Sequence, residues 1–305
     1  MSLKDIKVKI KSVNRTRKVT KAMEAVSAVK MRKSQIRALS GRPYVSSALS
    51  ILERLSPSLK KVSHPLTQSR EVSKAALVVV TSDKGLCGAL NGAVLKEASK
   101  VAKNYALPKE DIQVYAFGKK AGEYFEREGY TLHQRFDNVS DEVSIEDYSH
   151  ISESLVEGFM LGAFDRVDVV YTTFRSTFEQ KAVSHQVLPL SMDSFQAMVK
   201  TFVSEDTFLT EREHYTPPAF YTVEPSPEGV LKTLIPKLVS VIVLHALLES
   251  KASEHSARMV AMKNASDKSR DLSKSLTRTF NKARQAVITR EVSEIVGGIE
   301  AMAVD

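Results

Sequence analysis

The first forty residues contain no glycine, no proline and no aromatic ring; Gly41, Pro43 and Tyr44 are the first of each. Nothing in that stretch breaks a helix, and nothing in it offers a platform on which nucleic-acid bases could stack. Cysteine is nearly absent as well. The single Cys87 excludes an internal disulfide framework and fits a reducing cytoplasm. Long apolar runs are also missing. The longest, Leu238–Leu248, is interrupted by His245 and is too short to span a bilayer. Met1–Lys11 alternates charge with single apolar residues, so no signal peptide is expected. The expectation is a soluble chain. Its 305 residues, 43% of them hydrophobic, have room for one or two domains with a real core.

Charge is present in excess, and unevenly. The formal net charge is +8; residues 1–42 hold thirteen Lys and Arg against Asp5 and Glu24, a net of +11, which leaves the remainder at −3. Such asymmetry points to a basic arm that meets nucleic acid, anionic lipid or an acidic protein surface. The missing aromatics weaken the first reading and the missing bulky insertion residues weaken the second. Periodicity cannot choose the partner.

The chain divides into three zones. In residues 1–57, Ile6, Ile10 and Val13 recur at helical spacing, and Val19, Met23 and Val26 resume it. Ala48, Leu49, Leu52 and Leu55 extend it beyond Gly41–Pro43 until Pro57 stops it, a helix of roughly 60–80 Å. Residues 75–195 alternate strands with helices. Ala75–Thr81 reads as a buried parallel strand, with further strands at Ile112–Phe117, Asp168–Phe174 and Val183–Leu190. Helices are expected from the Ser82–Gly88 turn to about Lys103, at Lys119–Glu128 and at Ser144–Leu161. This is a Rossmann-like α/β domain with a mainly parallel sheet. Asn138–Val143 and Glu205–Pro218 read as loops. In residues 225–305 there is no glycine between Gly229 and Gly297. Leu231, Leu234, Leu238, Val241, Ile242 and Leu248 give one apolar face; Leu272, Leu276, Phe280, Ala283 and Val287 give another. A second helix of roughly 60 residues, near 90 Å, follows. Two stripes too long for so small a domain are best buried against each other. The fold class is therefore α/β, a Rossmann-like domain flanked by long N- and C-terminal helices that form an antiparallel coiled coil. Ala265–Asp271 is a polar gap in that seam, and no strict heptad runs its whole length.

Catalytic chemistry finds little support. A P-loop needs a glycine six positions before its lysine, but Gln113 stands there relative to Gly118–Lys119. No GxGxxG follows a strand. The turn Ser82–Gly88 sits where phosphate loops sit, yet its glycines are wrongly spaced, and a plain strand-to-helix turn is the simpler reading. Cys87 has no base beside it in the sequence and reads as a small, semi-buried residue. His64, His133, His150, His185, His214, His245 and His255 show no metal spacing, and Glu291 with Glu294 reads as solvated helix charge. No cofactor or metal is expected.

At this point the residues resemble a known family. Ile10–Met23 (IKSVNRTRKVTKAM) and Lys30–Ser34 (KMRKS) look like the N-terminal helix of ATP synthase gamma subunits. Ser82–Asn91 (SDKGLCGALN) resembles that family's first strand-turn, and Glu224–Pro227 (EPSP) the lead-in to its second long helix. Leu248–Lys263 and Asn281–Gly298 are similar to its C-terminal helix. The similarity runs from end to end, and separated motifs in the right order are more specific than any one of them.

The resemblance implies a non-catalytic rotor in the central stalk of a bacterial F-type ATP synthase. One copy per complex would stand in a ring of three alpha and three beta subunits. Proton- or sodium-driven c-ring rotation would then couple to ATP synthesis or hydrolysis at the beta subunits, each rotor angle favouring one set of site conformations. The family's beta subunits present an acidic loop, which would account for the basic N-terminal helix. By motif, Met23 lies near that loop, and Arg258, Arg284, Gln285, Thr289 and Glu291 are contact candidates along the C-terminal helix. Arg290 stands where Gln is common, so its neighbourhood would use a different polar network. Tyr221 and Glu224 fall in the foot that meets the epsilon subunit and the c-ring. The implied place is the cytoplasmic face of the inner membrane, peripheral, with membrane contact only through the c-ring and no nucleic acid. The lack of a leader before Met1 and of a cysteine-containing insert speaks against organellar precursors and thiol regulation. Met23→Lys would set a cation against the acidic loop and should impair coupling more than assembly. Two other classes stay open: a basic coiled-coil nucleic-acid binder and a Rossmann-type enzyme with helical arms.

Overall fold

The computed structural model describes residues 2–40, 47, 51, 64–141, 145–191, 224 and 226–302. The chain resolves into two units. One is built from Met1–Ser27 with Arg258–Asp305, the other from Ala28–Ala257. In chain order the elements are α1 (Leu3–Ser40), β1 (Ala75–Val80), α2 (Leu90–Asn104), β2 (Ile112–Phe117), α3 (Lys119–Arg127), β3 (Thr131–Phe136), α4 (Ile145–Met160), β4 (Arg166–Phe174), β5 (Gln180–Leu188) and α5 (Pro227–Met302).

The second unit carries a five-stranded sheet in the order β3-β2-β1-β4-β5. The first four strands are parallel and β5 runs antiparallel to β4. β1 is buried along its whole length, because both faces of the sheet are covered. Leu77 and Val79 face a core with Val94, Ala98 and Val101 of α2 and Phe125 of α3. Ala76, Val78 and Val80 face the other core, where α4 supplies Ile151, Leu155 and Phe159 and α5 supplies Ile235, Leu238, Val239, Ile242 and Ala246. Each such fully buried aliphatic side chain contributes about 1.5–3 kcal/mol. An 18-residue window of α5 reaches a mean hydropathy of 1.5, high enough for a membrane span, which amends the sequence expectation. Since 61% of that window is buried in protein, its apolar character is that of a core helix.

Several boundaries differ from those expected. β3 has no counterpart in the sequence reading: it is an edge strand whose pattern alternates exposed with half-buried residues, so it carries no apolar run. β5 starts at Gln180, ahead of the apolar segment, because Gln180 and Lys181 pair with Phe174 and Thr173. α5 has 76 residues, about 114 Å, and passes through Pro236, Gly297 and Gly298. α1 is traced for 38 residues, about 57 Å. Its expected continuation through Ala48, Leu49, Leu52 and Leu55 to Pro57 lies outside the described residues, as do Tyr221 and the Glu205–Pro218 loop.

The first unit is a two-helix coiled coil. Ser273 Oγ donates to Asn14 Oδ1 at 3.0 Å, and Arg17, Lys18 and Lys21 line one groove with Ser266, Asp267 and Arg270. Numbering therefore rises along one helix as it falls along the other, and the pair is antiparallel. Along α5 one row of residues withdrawn from solvent runs through Met259, Met262, Ser266, Ser269, Ser273, Leu276, Phe280, Ala283 and Val287. These step by three and four without interruption, the repeat of a coiled-coil seam. The polar gap is thus no gap: Ser266 and Ser269 continue the seam. Leu272, expected on it, is exposed.

α1 holds a comparable surprise. Its inward positions are Ile6, Ile10, Val13, Arg17, Thr20, Glu24 and Ser27, again by threes and fours. Val19 and Val26, which the sequence reading placed on the stripe, are 54% and 57% exposed. They lie one residue, or about 100°, off the seam. In the middle of the seam α5 contributes Ser266 and Ser269 and α1 contributes Thr20 between Arg17 and Glu24; the Thr20 hydroxyl is satisfied by the carbonyls of Thr16 and Arg17 in its own helix. Small side chains let the helix backbones approach, but they bury little apolar area.

Candidate partner interface

The Rossmann-like sheet places its natural ligand crevice at the carboxyl ends of β1 and β4, where the strand order reverses. The β1–α2 turn there is closed by its own hydrogen bonds. Ser82 N donates to Asn91 Oδ1 (3.0 Å), Ser82 Oγ to the Lys84 carbonyl (2.7 Å), and Asn91 Nδ2 to Ser82 Oγ (2.7 Å). Asn91 Nδ2 also lies 3.4 Å from Cys87 Sγ, and Cys87 is fully buried rather than half-buried. The N-terminus of α3 is likewise occupied. Lys119 N donates to Asp83 Oδ1 (3.0 Å) and Ala121 N to Thr81 Oγ1 (2.9 Å). These are the N–H groups a phosphate would need, and they are spent within the protein. Among the described residues no three His, Cys, Asp or Glu side chains converge as metal ligands would.

The unusual surface lies on the coiled coil. The first unit holds seventeen Lys and Arg against eight Asp and Glu, a net of +9, so the rest of the chain is close to neutral at −1. Lys4, Lys7, Lys11, Arg15 and Lys18 recur every three or four residues on α1 and line one groove with Val8 and Ile10. Val8 is 63% exposed. The second feature is the end of α5. With Asn14 opposite Ser273, the start of α1 at Leu3 falls opposite residue 284 or so, and α5 runs on to Met302. Beyond Val287 the seam positions become Arg290 and Glu294, and every residue from 291 to 299 is exposed. Ile288, Val292, Ile295, Val296 and Ile299 are all at least half exposed. Spaced by three and four, they form an apolar stripe that no described residue covers. Stripes of this kind mark interaction surfaces.

The site residues expected from motif fall into groups. Arg284, Gln285, Thr289 and Glu291 are exposed on the outer surface of the same stretch of α5. Thr289 is therefore off the seam. Met23 is half-buried beside the seam position Glu24, and Arg258 is almost fully buried. Glu224 is an exposed bend just before α5, and Tyr221 lies outside the described residues. The sequence reading missed the Ile288–Ile299 stripe. The visible signal was an apolar 3-4 repeat continuing after Val287 but one residue off the preceding register.

A family profile described as ATP synthase matches residues 2–302. The ATP synthase gamma chain of Heliobacterium modesticaldum is 36% identical over 300 residues, covering 98% of this chain and 99% of the relative. That of Pelotomaculum thermopropionicum is 38% identical over 301 residues, covering 99% of each. The chain belongs to the ATP synthase gamma family. Two solved structures are similar to this chain. One is the central stalk and c-ring of the Tetrahymena thermophila mitochondrial ATP synthase, with a TM-score of 0.59 and 26% identity over 81% of this chain and 99% of that one. The rotor of the Euglena gracilis mitochondrial ATP synthase shares the fold, with a TM-score of 0.61 at 18% identity over 94% of this chain and 98% of that one.

Proposed function

We propose that this chain is the central-stalk rotor of an F-type ATP synthase and performs no chemistry of its own. The observation that carries the reading is the exposed, apolar-striped end of α5 at Ile288–Ile299, within a unit of net charge +9. An apolar helix end needs a sleeve to exclude water from it, and a basic stem needs an acidic surround. A ring of three alpha and three beta subunits supplies both. Rotation then works by differential contact: each angle of an asymmetric shaft favours one set of conformations in the surrounding catalytic sites. Arg284, Gln285, Thr289 and Glu291 would face that ring, with Met23 turned to the acidic loop of a beta subunit. Tyr221 and Glu224 would belong to the foot on the epsilon subunit and c-ring. The self-closed β1–α2 turn supports a scaffolding role for the α/β domain. Proton or sodium flow through the c-ring would drive rotation, at the cytoplasmic face of the inner membrane.

The test is co-expression with bacterial alpha and beta subunits, followed by native mass spectrometry and an ATPase assay. One copy of this chain per three-plus-three ring, with turnover in the assembly and none in the isolated chain, is the expected result. Failure to assemble with cognate partners, or turnover by the chain alone, would overturn it.

A further inference from the structure

The loop after β3 carries one residue that gathers groups from both long helices within the second unit. Asp141 Oδ2 accepts from Lys30 Nζ of α1 at 2.6 Å, and Asp141 Oδ1 lies 2.8 Å from His255 Nε2 of α5. The Asp141 carbonyl accepts from Arg37 of α1 at 2.9 Å. Two residues earlier, the Val139 carbonyl accepts from Lys251 Nζ of α5 at 2.7 Å. The loop is itself tied to the sheet, since Asn138 N donates to Asp83 Oδ1 at 2.8 Å. His255 is 3% exposed, and its Nδ1 has no partner among the described residues. Its one polar attachment there is Asp141.

The two helices are not held equally. α5 lies on the sheet through a broad apolar face and three serines. Ser250 accepts from Thr172 N, Ser253 donates to the Thr172 carbonyl, and Ser256 to the Thr177 carbonyl. Over residues 28–40, α1 offers much less: Ala38 packs against the core, while Val29 and Ile36 point to solvent. Lys30 and Arg37 are seven residues apart, two turns on one face, and both reach Asp141.

We propose that Asp141 is a positioning residue that pins residues 28–40 of the N-terminal helix to the α/β domain beside residues 245–257 of the C-terminal helix, so that these two stretches move with that domain as one body. Charge-assisted hydrogen bonds are the stronger and more directional kind, which suits a joint that must hold orientation under load. The hydrogen bond from His255, and then that from Lys30, hold the Asp141 carboxyl well below the usual carboxylate range despite its partial burial. The carboxylate therefore stays ionised at every pH at which the protein would work. In its functional part the proposal rests on the rotor reading; in its structural part it does not.

The structural arm is hydrogen exchange on the full chain carrying Asp141→Asn, Lys30→Met, or both. Lys30→Met keeps an apolar stem at a half-exposed position, so it is expected to fold even if Asp141→Asn does not. Amides of residues 28–40 should exchange about tenfold faster in each single variant, while residues 245–257 stay unchanged. The double variant should exceed Asp141→Asn by much less than the effect of Lys30→Met alone. Unchanged exchange in α1, or equal loosening of both helices, would overturn the pin. The functional arm uses the assembled enzyme with Lys30→Met: ATP turnover persists and ions pumped per ATP fall. Unaltered pumping alongside a loosened α1 would overturn the torque role. If the unsubstituted chain failed to assemble, the rotor reading would fall while the exchange result stood.

Discussion

Ser273 on α5 donates its hydroxyl proton to the side-chain oxygen of Asn14 on α1 at 3.0 Å. This polar contact sets the register of a seam whose centre holds Thr20, Ser266 and Ser269 beside Arg17 and Glu24. A greasy seam could slip by a heptad; a half-buried amide with one matching hydroxyl cannot do so without losing its bond. Asn14→Ala should therefore cost about 1 kcal/mol and broaden the spread of registers. Ser266→Leu, by contrast, puts bulk where the helices are close and should cost about 1–3 kcal/mol. Thermal unfolding followed by circular dichroism measures both, and spin-label distances across the seam distinguish lost register from simple loss of stability.

The apolar end of α5 should reveal itself in the isolated chain. Ile295 and Ile299 are 62% and 63% exposed, so lysine at either position removes no core contact. Ile295→Lys with Ile299→Lys should leave unfolding free energy within about 0.5 kcal/mol while reducing self-association in sedimentation velocity. Equal self-association before and after would show that the stripe does not drive it.

Gly118 precedes α3 with a φ of 86° and lies against the Thr81 carbonyl, where an added Cβ would collide with backbone. Gly118 N also donates to the Phe136 carbonyl at 2.8 Å, so the turn cannot easily move away. Gly118→Ala is expected to destabilise the α/β domain by about 1–3 kcal/mol, read as a lower urea midpoint. Gly129 also has positive φ but open space around it, and Gly129→Ala should cost less.

Burial pushes the His185 imidazole down to about 4 from an ordinary 6.5, only partly offset by Asp168. The folded state thus resists protonation that the unfolded chain accepts. Stability from this source is full above the unfolded value near 6.5 and is lost as pH falls towards 4. Between about pH 7 and pH 5 the loss should be about 2 kcal/mol. His185→Gln should flatten that part of the curve. A slope unchanged by the substitution would assign the pH dependence to other groups.

Much of this architecture was legible in residue order. β1 and β2 are short apolar runs bounded by turns, and β-branched runs of that length have few other uses. The paired helices followed from two glycine-poor termini that no small domain could cover. β3 was not legible, because an edge strand half-covered on one face has no need of apolar residues. Nor was the course of the seam on α1: Val19 and Val26 obey the helical period as well as Thr20 and Ser27 do, and hydropathy favours the wrong pair. Of the candidate contacts, the sequence marked Arg284 to Glu291 by motif, while the free stripe after Val287 needed the position at which α1 begins.

What the sequence determined by itself was therefore the inventory: two long helices, a Rossmann-like domain between them, a basic excess at the N-terminal end and no phosphate loop. Each rests on local pattern and composition, which need no partner to be read. Tertiary structure alone decided which helix faces meet, where the coiled coil runs out, and that Lys30, Arg37 and His255 converge on Asp141. Those outcomes depend on which surfaces find one another across more than a hundred residues of chain, and hydrophobic periodicity carries no record of the neighbour.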